Sequence, residues 1–99
     1  EYDRDHWRSG EPFRCGVWAI NDQWATVPNA TIRWRVVDAL GRQKAAGQWP
    51  VSMAEDSAQE LGTAEWLAAG RGPHALRAEV RDQRGRMISE NVFEFEVTD

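Results

Sequence analysis

The sequence predicts a single all-β domain, an antiparallel sandwich of about seven short strands. Two observations carry this prediction: apolar and polar residues alternate along several segments, and a V-x-D-x-x-G-R motif occurs at residues 36–42 and again at 80–86. The chain has 99 residues, which fits one domain. It is too short for a (β/α)₈ barrel, which needs about 250 residues.

The first part of the chain is predicted to lead into the sandwich. Residues 1–12 are polar and end in Gly-Glu-Pro, which indicates a linker or a frayed first strand, so we place the domain at residues 13–99. Residues 13–20 form a mostly apolar run, typical of a strand that is buried on both faces. Asn21 and Asp22 then end this strand, because such side chains bond nearby backbone N–H groups in turns.

The next predicted strand alternates in hydrophobicity. A loop is expected at residues 23–29, followed by a strand at residues 31–38. Successive side chains of a strand point to opposite faces, so Ile32, Trp34 and Val36 share one face of it. We expect that face to lie on the core.

Each copy of the repeated motif is predicted to close a β-hairpin. Asp38 and Asp82 stand at the first position of a type I turn, and Gly41 and Gly85 stand at the fourth, where a positive φ favours glycine. An alternating strand precedes each motif, and the second strands of the hairpins are predicted at residues 43–49 and 87–97. Two hairpins of the same construction indicate antiparallel β structure.

Residues 52–62 fit two structures. The spacing of Ser52 and Glu55 matches a helix capping box, whereas the short length of the segment and the strands around it favour extended chain. A further strand is predicted at residues 63–67.

The last predicted strand has one apolar face and one acidic face. Phe93, Phe95 and Val97 alternate with Glu94 and Glu96. Paired carboxylates can serve in glycoside hydrolysis, but two glutamates on one strand face are more simply explained as a solvated outer surface, and we favour that interpretation.

Composition and motifs exclude several classes of function. The 12 basic and 16 acidic residues are interspersed and give a net charge of −4, which argues against nucleic-acid binding. No run approaches the roughly 20 apolar residues of a membrane span. Cys15 is the single cysteine and is expected to be a buried strand residue, and His6 and His74 lack a second ligand at zinc spacing. We therefore predict no catalytic residue, no metal and no cofactor; export and a cytoplasmic location both remain open.

Six tryptophans are the unusual feature of the composition. Trp34 is in phase with its apolar neighbours and is predicted to lie in the core, and Trp24 is expected to pack under a loop. The remaining four are candidates for a surface that contacts a neighbouring domain or stacks on sugar: Trp7, Trp18, Trp49 and Trp66. We favour contact with another domain over a sugar platform.

Several segments, in this order, resemble a known module. Residues 17–24 read Val-Trp-Ala-Ile-Asn-Asp-Gln-Trp, and residues 30–41 read Ala-Thr-Ile-Arg-Trp-Arg-Val-Val-Asp-Ala-Leu-Gly. Ser-Ala-Gln-Glu-Leu-Gly at 57–62 and Ser-Glu-Asn-Val-Phe at 89–93 continue the match. The combination resembles the immunoglobulin-like β-sandwich domains that flank the catalytic barrel in glycoside hydrolase family 2, above all in the β-mannosidase and exo-β-glucosaminidase branch.

The resemblance implies an immunoglobulin-like fold and a non-catalytic role. In such enzymes the catalytic glutamates lie in the barrel, so none is assigned to this chain. The resemblance also implies extended chain at 57–62 and other domains of a parent polypeptide as partners. It gives structural roles to six turn residues: Asn21, Asp22, Asp38, Gly41, Asp82 and Gly85. Two alternatives stay open: a carbohydrate-binding module that uses exposed tryptophans, and an adhesion or scaffold module of a surface protein.

Overall fold

The computed structural model describes residues 6–21, 27–53 and 57–99, without the side chains of 19–21, 53 and 57–61. Every regular element in these ranges is a strand, which confirms the all-β prediction. In chain order the strands are β1 (His6–Arg8), β2 (Pro12–Asn21), β3 (Val27–Asp38), β4 (Gln43–Met53), β5 (Ser57–Leu67), β6 (Gly72–Arg81) and β7 (Met87–Thr98). The described ranges hold no helix that is long and apolar enough to cross a membrane.

The strands form two sheets. One sheet has five strands in the order β1-β7-β6-β3-β4, and the other consists of β2 and β5. All pairs are antiparallel except β1 and β7, which run parallel, with Trp7 opposite Val97. Strands β2 and β5 on one side, and β3, β6 and β7 on the other, have the arrangement of the B, E and C, F, G strands of the immunoglobulin fold. The predicted immunoglobulin-like sandwich is confirmed.

The core lies between the inner faces of the two sheets. Ile32, Trp34 and Val36 are buried on β3, as their alternation predicts, and Phe95 and Val97 are buried on β7. Leu76, Ala78 and Val80 supply the inner face of β6, and Cys15 is buried on β2.

Strand β2 differs from its prediction. Phe13 and Val17 are buried, but Arg14 and Trp18 are exposed, so only one face of the strand lies on the core. The reason is that a two-layer sandwich leaves the outer face of each sheet in solvent. A register shift between Val17 and Trp18 marks a bulge there, and the side-chain amide of Asn91 on β7 donates to the carbonyl of Trp18 at 2.6 Å.

Both V-x-D-x-x-G-R motifs form the predicted hairpin turns. In the β3–β4 turn, Asp38 Oδ1 accepts from the backbone N–H groups of Leu40 and Arg42, each at 2.9 Å, and Asp38 Oδ2 accepts from Arg42 Nε at 2.8 Å. The N–H of Gly41 donates to the carbonyl of Asp38 at 2.9 Å, and Gly41 has a φ of 79°. A positive φ at this position is what glycine tolerates and other residues resist.

The β6–β7 turn repeats this network. Asp82 Oδ1 accepts from the N–H groups of Arg84 and Arg86 at 2.9 Å, and Asp82 Oδ2 accepts from Arg86 Nε at 3.2 Å. The N–H of Gly85, which has a φ of 84°, donates to the carbonyl of Asp82 at 2.9 Å. Because β3 and β6 are antiparallel neighbours, the two hairpins lie at opposite ends of the sheet.

Three predicted boundaries differ from the structure. Strand β3 begins at Val27 rather than at Thr31, because a register shift between Val27 and Ala30 accommodates Asn29 at a φ of 57° within the strand. Residues 57–67 form one strand instead of two separate segments, and the helical alternative for 52–62 is wrong over its described part. Residues 6–8 join the five-stranded sheet, which agrees with a first strand rather than with a linker.

Candidate interaction surfaces

The five described tryptophans occupy three kinds of position. Trp7 is 2% exposed and Trp34 is also buried, Trp49 and Trp66 are half-buried, and Trp18 is 43% exposed. Trp24 lies outside the described residues, as does Asp22. Within the described part of the chain, no two exposed tryptophan rings therefore form a platform for sugar.

The expectation of a surface position for Trp7 is wrong. Its ring packs against Phe13 at a centroid distance of 4.6 Å and against Phe95 at 5.3 Å, in the core. The pairing of β1 with β7 places Trp7 directly beside Val97, whose side chain is fully buried. The three-residue strand β1 thus contributes an aromatic ring to the core.

Trp66 and His74 extend this aromatic cluster towards the sandwich edge. The Trp66 ring lies 6.2 Å from Phe13 and 5.5 Å from the imidazole of His74. His74 Nδ1 is 2.9 Å from the carbonyl oxygen of Gly72, and His74 Nε2 is buried without a hydrogen-bond partner in the described part of the chain. The half-buried Trp66 thus contributes much of its ring to packing within the domain.

Two tryptophans pack directly over glycines. The indole of Trp34 lies over Gly47, its partner across the β3–β4 pair, so closely that a Cβ on Gly47 would stand 2.5 Å from Trp34 Nε1. The Trp49 ring lies over Gly62 of β5, again closer than a Cβ there would allow. Both rings face inward, which explains why Trp49 is only half exposed.

Trp18 lies on the outer side of the two-stranded sheet. We call this side the β2/β5 face and define it by Pro12, Arg14, Trp18, Glu65 and Leu67. Leu67 is 65% exposed, and Arg14 and Glu65 form an ion pair of 2.8 Å between the two apolar side chains. The face therefore offers two large apolar groups to a partner.

The outer side of the five-stranded sheet has a different character. Arg33 and Arg35 on β3 and Arg77 on β6 line a shallow concavity of about 560 Å³, which we call the arginine groove. The alternation along β3 places Arg33 and Arg35 on its polar side, but Arg77 joins them only through the pairing of β3 with β6. Strand order is not visible in the sequence, so the sequence analysis missed this site.

The turn residues lie where they were predicted, as far as they are described. Asn21 is the last residue of β2, and its side chain is outside the described part.

The two turn aspartates have lowered pKa values. Partial burial acts to raise the pKa of the Asp38 carboxyl, but the hydrogen bonds and charge of Arg42 together with the N–H of Leu40 hold that pKa below its usual value. The backbone N–H of Arg86 is the main cause that lowers the pKa of Asp82.

The described residues bring together few groups with catalytic or metal-binding chemistry. Within them, no cluster of three or more His, Cys, Asp or Glu side chains is placed to hold a metal ion. Glu94 and Glu96 are exposed on the outer side of β7, as predicted. The most distinctive features of the described surface are the β2/β5 face and the arginine groove.

Fold and surfaces together define an immunoglobulin-like sandwich of the kind that serves as an accessory domain. The sequence profile of the mannosidase Ig/CBM-like domain family matches residues 14–98. The chain belongs to this family. A search of curated protein sequences gives no match.

Solved structures share the fold at low sequence identity. The CARDB domain of a Pyrococcus furiosus protein, solved with di-metal ions, has a TM-score of 0.73 and 19% identity over 95% of this chain and 84% of its own. A β-glucuronidase of glycoside hydrolase family 2 has a TM-score of 0.68 and 12% identity over 87% of this chain. The Amycolatopsis orientalis exo-chitosanase has a TM-score of 0.60 and 17% identity over 82% of this chain. The chain spans 10% of the length of each of these two hydrolases.

Proposed function

We propose that the chain is a non-catalytic module of a larger glycoside hydrolase, in which it packs on the catalytic barrel and stabilises it. The observation that carries this proposal is the family match over residues 14–98. The proposal is also supported by two solved glycoside hydrolases, in each of which a domain of this fold takes up 10% of a much longer chain. The resemblance to family 2 enzymes, whose catalytic glutamates lie in the barrel, implies that this sandwich supplies contact surface.

The β2/β5 face is the surface that we assign to this contact. A partner domain covers apolar surface that is exposed in the isolated domain. Trp18 and Leu67 both point outward there, and the intervening ion pair of Arg14 and Glu65 gives the face a polar centre. Because Leu67 is 65% exposed, covering it contributes about 1–2 kcal/mol, so this contact can raise the stability of a neighbouring domain measurably.

A double substitution tests the assignment. In the full-length polypeptide, Trp18→Ser with Leu67→Ser is expected to lower the unfolding temperature of the barrel, because both docking groups are lost. The same double substitution in the 99-residue chain is expected to lower its own unfolding temperature only modestly, since Trp18 is 43% and Leu67 65% exposed there. Differential scanning calorimetry of the two proteins provides the measurement.

Val92→Ser is the matched control. Val92 is 49% exposed and lies on the outer side of the other sheet, so its loss removes apolar surface without touching the β2/β5 face. The control is expected to leave the barrel unchanged. An equal shift from Val92→Ser, or no shift from the double substitution, would contradict docking through the β2/β5 face.

The tryptophan-stacking alternative has less support. A sugar platform of this kind needs at least two coplanar exposed rings. Of the described tryptophans, Trp18 alone is exposed to that degree, and Trp49 and Trp66 contribute to packing within the domain.

A further inference from the structure

The arginine groove places like charges directly beside each other. Arg35 of β3 stands opposite Arg77 of β6 in the register, on the outer face of the sheet, and Arg33 is the next residue of β3 on the same face. All three are exposed. Like charges in directly opposed positions of a sheet destabilise it, so this arrangement is not explained by the stability of the fold.

The three guanidinium groups also lack partners in the described structure. No ion pair or side-chain hydrogen bond joins Arg33, Arg35 or Arg77 to another described residue. Glu79 stands opposite Arg33 in the register, but its carboxylate accepts from Arg81 Nε at 3.0 Å. The donors of the groove are therefore available to an external acceptor.

The shape of the groove suits a small polar ligand. Its volume of about 560 Å³ falls within the range of about 300–1,000 Å³ that is typical of ligand sites. Gln43, Gln48 and Glu90 also line it, so amide and carboxylate groups for hydroxyl recognition surround the arginines. Trp34, the aromatic residue along this groove, is buried, so the groove presents mainly polar and charged side chains to a ligand.

We propose that the arginine groove binds a short oligosaccharide that carries carboxylates, as in chains of uronic acid. The planar guanidinium presents paired N–H groups that match the two oxygens of a carboxylate. The three arginines outweigh Glu79 and Glu90 of the same groove by one positive charge, in a chain whose net charge is −4. This proposal is independent of the proposed docking on a catalytic barrel, which uses the opposite face of the sandwich.

Calorimetric titration of the 99-residue chain with tetragalacturonic acid tests the proposal. The matched ligand is the fully methyl-esterified tetramer, which keeps the sugar rings and removes the carboxylate charges. We expect saturable binding of the acid at low ionic strength, affinity at least about tenfold weaker for the ester, and weakening of the acid's binding with added salt, because charged contacts near a surface are screened.

Substitutions separate loss of binding from loss of folding. Arg35→Gln and Arg77→Gln are each expected to weaken binding of the acid at least about tenfold, since each removes a charged hydrogen-bond donor. The same changes remove the opposed charges, so the unfolding temperature is expected to stay equal or to rise. Arg84→Gln is the control: it removes the same charge from the exposed β6–β7 turn, outside the groove, and is expected to leave affinity unchanged.

Four results would overturn the proposal. They are the absence of saturable binding of the acid, equal binding of the methyl ester, an equal loss of affinity in Arg84→Gln, and binding of a hexaglutamate peptide as tightly as of the oligosaccharide. The last result would assign the groove to acidic protein surfaces instead of sugars.

Discussion

Trp7 fills the end of the core where β1 meets β7. Its ring contacts Phe13 and Phe95 within 5.3 Å and lies edge-on to Phe93 at 6.3 Å. Aromatic pairs at such distances and angles add to the free energy gained from burying the rings. In a domain of this size, whose core is limited, one such residue is a large part of the stability.

Truncating Trp7 is therefore expected to be costly. Trp7→Ala should reduce the free energy of unfolding by about 3–5 kcal/mol, the usual result of removing a buried aromatic side chain. Trp18→Ala, which truncates a ring that is 43% exposed, should reduce it by clearly less than Trp7→Ala does. Urea unfolding followed by far-ultraviolet circular dichroism measures both. Similar losses for the two variants would contradict the core position of Trp7.

The local sequence pattern predicts the burial of Trp34 but not that of Trp7. Trp34 is predictable because Ile32 and Val36 flank it at the spacing of a half-buried strand. Trp7 stands between His6 and Arg8 in a strand of three residues, too short to show a period. Its burial depends on parallel pairing with a strand about ninety residues away along the chain, which no local pattern reports.

The turns of the two hairpins are held by the same pattern of hydrogen bonds. Each turn ties an aspartate to two backbone N–H groups and to the arginine four residues later, with a glycine at positive φ between them. Because turn type and side-chain capping are local, the sequence predicts both hairpins correctly. The ionised form of each aspartate is the one that these donors stabilise, so folding is linked to pH.

This linkage gives a prediction with a definite sign. The folded-state pKa values of Asp38 and Asp82 are lowered. The stability that the two ionised carboxylates contribute is therefore fully present above the unfolded pKa of about 3.9. It is lost as the pH falls through the folded pKa values. The double variant Asp38→Asn, Asp82→Asn is expected to lose less stability than the wild type between about pH 5 and pH 2. Urea unfolding at several pH values measures this.

Asp99→Asn serves as the control for this experiment, because it removes an exposed carboxylate that lies outside both turns. An acid dependence that is equally steep in the wild type and in the double variant would show that the turn aspartates do not link folding to pH.

The secondary structure that the sequence predicts least well is that of the end of β4 and the start of β5. Ser52 and Glu55 satisfy a local helix signal, yet β4 extends to Met53 and β5 starts at Ser57. Pairing with β3 and β2 supplies hydrogen bonds along both strands, and a helix of one or two turns has no comparable gain. Tertiary pairing thus outweighs the local preference.

At the scale of the molecule, two sheets give two outer faces of different chemistry. Alternation along β3 places Arg33 and Arg35 outside, but their proximity to Arg77 follows only from the strand order β6-β3. The β2/β5 face likewise depends on the pairing of β2 with β5, which sets Leu67 opposite Pro12 and Glu65 opposite Arg14. The fold class was therefore predictable from local patterns and a family resemblance, whereas both candidate surfaces required the three-dimensional arrangement.

Our central proposal is that this domain packs on the catalytic barrel of a larger glycoside hydrolase, stabilises it and is itself non-catalytic. The most direct test of this proposal compares the thermal inactivation midpoint of the proposed parent hydrolase with and without this domain. We expect removal to lower the midpoint by at least a few degrees and to leave turnover of an aryl glycoside at 25 °C largely intact. An unchanged midpoint, or loss of turnover at 25 °C while circular dichroism shows a folded barrel, would contradict the claim.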